Sequence, residues 1–111
     1  MEISGTGPGG KIPFETHLGK LGEPAKSMLL DLRNFVHSLG ANVIEEVRPH
    51  RVVYSKTMNF RIFLDVGPAG DSLVLSIRPG KSAPPATLTV KSQEELEAAK
   101  KQVAEAYQKI Q

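Results

Sequence analysis

Residues 4–12 read SGTGPGGKI, and Gly5, Gly10 and Lys11 stand at the spacing G-x-x-x-x-G-K. That spacing belongs to loops whose backbone N–H groups and lysine wrap the phosphates of a nucleotide. The chemistry also needs a buried strand before the loop and a helix after it, so that amides and helix terminus converge on the anion. Here only four residues precede Gly5, Pro13 follows closely on Lys11, and Ile12 stands where a magnesium-binding Ser or Thr belongs. Residues 1–13 therefore read as a flexible glycine-rich leader, with residues 14–111 as a single domain.

The remaining reactive side chains are sparse. There is no cysteine, which excludes disulfides, zinc-thiolate sites and thiol nucleophiles. His17, His37 and His50 lie at no metal-ligand spacing, so neither a metal nor a cofactor is expected. Glu45-Glu46 and Glu94-Glu95 are neighbours in sequence, and neighbours point to opposite faces of a strand or different sides of a helix. Neither pair is a ready acid/base dyad, and no catalytic residue is assigned.

Positive charge is the stronger signal. The formal net charge is only +2, yet residues 47–93 hold seven bases against two acids, while the rest holds seven against ten. Within this centre, RPHRVVYSKTMNFR (residues 48–61) carries Arg48, Arg51, Lys56 and Arg61 with no acid. Such a run is either a solvated hairpin whose cations block stray sheet pairing, or an anion-binding surface.

The elements around this run follow from periodicity. Pro24 suits a first helical turn, and Ala25, Met28, Leu29, Leu32, Val36 and Leu39 form one apolar stripe, widened by Phe35. Asp31, Arg33 and Asn34 fall on the wet side, and Gly40 is placed to end the helix in a left-handed conformation. Residues 43–47 predict an edge strand and residues 51–54 a β-branched one. Residues 60–66 alternate, with Phe60, Ile62, Leu64 and Val66 inward and Arg61, Phe63 and Asp65 outward. After a turn at residues 67–71, Leu73, Leu75 and Ile77 point inward, with Val74, Ser76 and Arg78 on the other face. Residues 79–86 form a proline-rich loop, and residues 87–90 leave a further short strand open. Ser92 and Glu95 then form a capping box. The helix it opens carries Leu96, Ala99, Val103, Ala106, Tyr107 and Ile110 on one stripe and allows a Glu97–Lys101 pair.

The fold class expected is α+β: an antiparallel sheet of three to four strands with an N-terminal and a C-terminal helix packed on one face. The register of Tyr54 stays open, since a one-residue slip decides whether it stacks beside Arg61 outside or packs inside.

In this order the features resemble the domain of unknown function 5655 family. The resemblance rests on His17-Leu18-Gly19-Lys20, the helix end at Leu39-Gly40, Tyr54-Ser55-Lys56 with Asn59-Phe60, the alternating residues 73–78, and Glu94-Glu95-Leu96 through Ala106-Tyr107. It implies a compact α+β domain, found alone or attached to nuclease-like proteins and proteins labelled as transporters, with no active site to carry over. The basic run after the tyrosine is thinner here, with Lys56 alone before Asn59.

The leading functional expectation is a non-catalytic binding module for nucleic acid or an acidic protein. Arg48, Arg51, Lys56, Arg61 and Arg78 would supply charge, and Tyr54 or Phe63 contact area. A protein-interaction or homodimerisation domain using the same face is the alternative. A small-ligand or enzymatic pocket around Tyr54 and Asn59 is the third reading. No apolar run approaches a membrane span and no basic-then-apolar leader opens the chain, so a cytoplasmic protein without a membrane partner is expected.

Overall fold

The computed structural model describes residues 12–56, 61–78 and 84–109. Along the chain come α1 (Glu15–Leu18), α2 (Ala25–Ser38), β1 (Val43–Val47), β2 (Val52–Lys56), β3 (Arg61–Ala69), β4 (Ser72–Ile77), β5 (Ala86–Val90) and α3 (Gln93–Lys109). The strands form one antiparallel sheet in sequence order, β1-β2-β3-β4-β5. The sheet thus has five strands, more than the three to four expected, because residues 86–90 pair fully along β4. The G-x-x-x-x-G-K motif, Asn59, Phe60, Lys81 and Ile110 lie outside the described residues.

The helices follow their stripes. Ala25, Met28, Leu29, Leu32 and Val36 of α2 are buried, as are Leu96, Ala99, Val103, Ala106 and Tyr107 of α3. The Glu23 carboxylate closes the first turn of α2 by accepting from the Ser27 N–H and hydroxyl at 3.2 and 2.7 Å. Ser92 caps α3 by accepting from the Glu95 N–H at 3.2 Å, and the Glu95 carboxylate turns back to the Lys91 N–H at 2.7 Å. Lys100, rather than Lys101, pairs with Glu97, and the same ammonium reaches Asp31 of α2 at 2.9 Å. Lys100 lies on the flank of α3 that faces α2, which Lys101 does not share.

Gly40 does not end α2 in a left-handed conformation; among the described residues only Gly70 has that backbone, at φ +68°. Glycine is needed at position 40 for space. A Cβ there would run into the Tyr107 hydroxyl. Gly70 and Asp71 form the two-residue turn between Ala69 and Ser72, so β3 runs on through Gly67-Pro68, which were expected to lie in the turn. Pro68 is tolerated because β2 pairs only as far as Val66, leaving the Pro68 nitrogen facing no neighbour strand.

One irregularity sets the faces. Tyr54 pairs with Leu64 but Ser55 pairs with Ile62, so Phe63 is the extra residue of a β-bulge. Its carbonyl accepts from the Arg78 N–H at 3.0 Å, and its ring meets that of Tyr107 edge-on at 5.4 Å. The bulge shifts the alternation by one residue. Beyond it Leu64 and Val66 point inward as expected; before it Arg61 falls on the helix side and Ile62 on the open side, reversing their expected faces. Phe63 and Tyr54 both enter the core, beside Val52, Leu73, Leu75 and Ile77.

Candidate functional site

The seven residues expected to form a binding surface divide into three groups. Tyr54 and Phe63 are fully buried and offer nothing to a ligand. The bulge corrects the expected outward placement of Phe63, and the register left open for Tyr54 resolves inward, so both rings share the covered face. Lys56 and Arg61 face each other at the far end of the β2–β3 pair, on the helix side. There the Lys56 ammonium donates to the Tyr107 carbonyl at 3.1 Å and lies 4.2 Å from that ring's centre. That carbonyl is near the end of α3, where carbonyls lack helical partners and a cation complements the dipole. Lys56 is therefore a helix cap, about 17 Å along the strand from Arg51.

Arg48, Arg51 and Arg78 remain, and the fold gathers them on the open face. The register sets Glu46, Val53, Asp65, Ser76 and Thr87 in one row across the strands. Asp65 lies at the middle of that row, only 7% exposed, beside Val53 at 3%. Arg51 approaches it from just before β2 at 3.8 Å and Arg78 from just beyond β4 at 3.7 Å. The three make a diagonal of plus, minus, plus. Both distances exceed hydrogen-bond length, so the carboxylate holds the guanidiniums by charge without occupying their N–H groups. Arg48 pairs separately with Glu46 at 3.0 Å, an exposed contact that holds both below and above their ordinary pKa values respectively through that hydrogen bond, Glu46 down and Arg48 up. His50 is exposed in the tight turn between Arg48 and Arg51, whose backbone bond is 2.8 Å.

A second polar cluster was not foreseen. Glu45 shares the covered face with Tyr54, its cross-strand partner, while Glu46 points the other way. Arg33, expected to stay wet, reaches over from α2 and donates two bonds to the Glu45 carboxylate at 2.9 and 3.0 Å. The Tyr54 hydroxyl donates at 2.8 Å, and His37 Nε2–H approaches at 3.4 Å. Burial alone would raise the Glu45 pKa, but the bonds from Arg33 and Tyr54 outweigh it and hold the carboxyl below its ordinary range. Burial and the neighbouring carboxylate push the Tyr54 hydroxyl far up. An acid at an inward position of a strand was the available signal, since such a group demands a partner.

An acid and a histidine thus stand within reach, yet Glu45 is already committed to Arg33 and Tyr54, which makes it a weak base. His17, on α1, is fully buried; its Nε2–H donates to the Arg48 carbonyl at 2.6 Å and ties α1 to the β1–β2 turn. No group of three or more potential metal ligands occurs among the described residues, and no described helix is long and apolar enough to cross a membrane. No family model matches the chain, and no curated protein or solved structure matches it either.

Proposed function

We propose that this chain is a non-catalytic binding module that takes a polyanion, nucleic acid foremost, on the open face of its sheet. The observation that supports it is the Arg51–Asp65–Arg78 diagonal. Each guanidinium carries five N–H donors in a fixed fork, and Asp65 engages none of them at hydrogen-bond distance. A phosphate oxygen approaching from solvent meets donors that Asp65 does not hydrogen-bond and one positive charge in excess. Contact runs through the phosphate backbone, because Tyr54 and Phe63 are in the core and cannot stack bases.

The half-buried Ile44, Ile62 and Val74 on the same face favour a second reading, in which another protein covers it. An NMR titration with short DNA and RNA, double- and single-stranded, at two salt concentrations separates the two. Salt-sensitive shifts at Arg51, Asp65 and Arg78 support the polyanion. Absence of shifts at low salt, with a protein partner shifting Ile44, Ile62 and Val74 instead, would sink it.

A further inference from the structure

Both ends of the sheet are strands with one unpaired side among the described residues. Their outward groups can be read from the register. The two-residue turn at Gly70-Asp71 makes Ala69 and Ser72 a hydrogen-bonded pair, so residues 72, 74 and 76 of β4 bond to β3 and residues 73, 75 and 77 bond to β5. Within β5, Ala86, Leu88 and Val90 then bond to β4, and Thr87 and Thr89 turn their N–H and C=O groups to the free side. Unlike β1, the strand ATLTV carries no charge, the usual device that keeps an edge from pairing.

The strand is also self-complementary. We propose that β5 pairs antiparallel with β5 of a second copy of this chain, about a two-fold axis at Leu88. In that register Thr87 of each copy meets Thr89 of the other, and every outward N–H and C=O of the strand finds a partner. Shifting the axis to Thr87 sets Thr89 against Pro85, which has no N–H to give. Shifting it to Thr89 sets Thr87 against Lys91, whose N–H is already bound to Glu95 at 2.7 Å. Only the Leu88 axis leaves no outward group unmet. It also brings the two Leu88 side chains together at a close, non-hydrogen-bonded pair on the helix side, where each is half-buried at the margin of its own core. The Thr87–Thr89 pairs stand on the open face. The interface is isologous, as a closed two-fold dimer requires. Because opposed residues share a face, the two open faces lie on the same side of one continuous sheet, with their Asp65 positions on the order of 24 Å apart across the strands.

The test is sedimentation of the full chain from about 10 μM to about 1 mM, with amide exchange followed across the same range. The expected result is a concentration-dependent dimer, with protection rising at the Thr87 and Thr89 amides. Thr89→Pro removes an outward N–H without cutting the bonds to β4 and leaves the chain monomeric with little change in its thermal midpoint. Leu88→Lys opposes two ammonium groups across the axis and does the same by a different route. A monomer throughout the range overturns the proposal, as does a dimer that survives either substitution. So does a dimer whose protected amides lie at Ile44, Ile62 and Val74, which would support open-face contact instead.

Discussion

Two carboxylates in this sheet are each held by arginine, and they are held differently. Glu45 sits on the covered face and takes two bonds from Arg33 and one from buried Tyr54, all at 2.8–3.0 Å. Asp65 sits on the open face between Arg51 and Arg78, at 3.8 and 3.7 Å. In the first cluster two N–H groups of Arg33 and the Tyr54 hydroxyl bond the acid directly; burial does not separate the two acids, whose side chains are 13% and 11% exposed. In the second neither arginine comes within hydrogen-bond distance of the acid. Tight pairing ties α2 to β1; the loose pairing on the open face is what the proposed binding of an external anion rests on.

Removing each acid should separate these roles. Glu45→Ala leaves the Tyr54 hydroxyl buried without an acceptor and Arg33 with the Phe14 ring but no carboxylate, and is expected to destabilise the fold by about 2–3 kcal/mol in urea unfolding. A loss under about 0.5 kcal/mol would mean the cluster anchors nothing. On the open face, Arg51→Ala with Arg78→Ala should weaken binding to a short duplex by about tenfold and lower the salt slope by about 2, while the unfolding midpoint barely moves. An unchanged affinity would remove the diagonal from the binding surface.

A smaller effect distinguishes the two acids directly. Asp65→Asn deletes the internal competitor for the arginines and is expected to raise polyanion affinity by about threefold, whereas Glu45→Gln should not raise it at all. The smallest effect is in acid. Glu45 has a folded pKa below its unfolded value, so its contribution is full above the ordinary carboxylate range near 4.5 and is lost as pH falls through the lower folded value. Tyr54→Phe removes one of the bonds that lower it and should shrink this acid-dependent loss in pH-resolved unfolding. A profile identical to that of the parent chain would take Tyr54 out of the cluster's electrostatics.

The stripes of α2 and α3, the edge position of β1 and the Ser92 cap were legible because each depends on local spacing alone. The inward assignments of Leu64, Val66, Leu73, Leu75 and Ile77 were legible for the same reason. The faces of Arg61, Ile62 and Phe63 were not. A bulge adds one residue to one strand, and nothing in the alternation of residues 60–66 marks where the count slips. Arg33 misled in a related way, since its helical angle is polar but its long side chain reaches a carboxylate on another element. Gly40 misled because its end-of-helix position suggested a backbone role, while the true constraint comes from Tyr107, far along the chain.

By itself, then, the sequence determined the α+β class, the order of the elements, the apolar face of each helix and the concentration of positive charge in the central strands. These follow from periodicity and composition, which are properties of neighbours along the chain. Only the tertiary structure decided that Tyr54 and Phe63 are core, that Lys56 caps α3, and that Arg51 and Arg78 meet across Asp65. Each of those outcomes depends on strand register and on contacts between distant residues, and one bulged residue is enough to exchange the two faces of a strand.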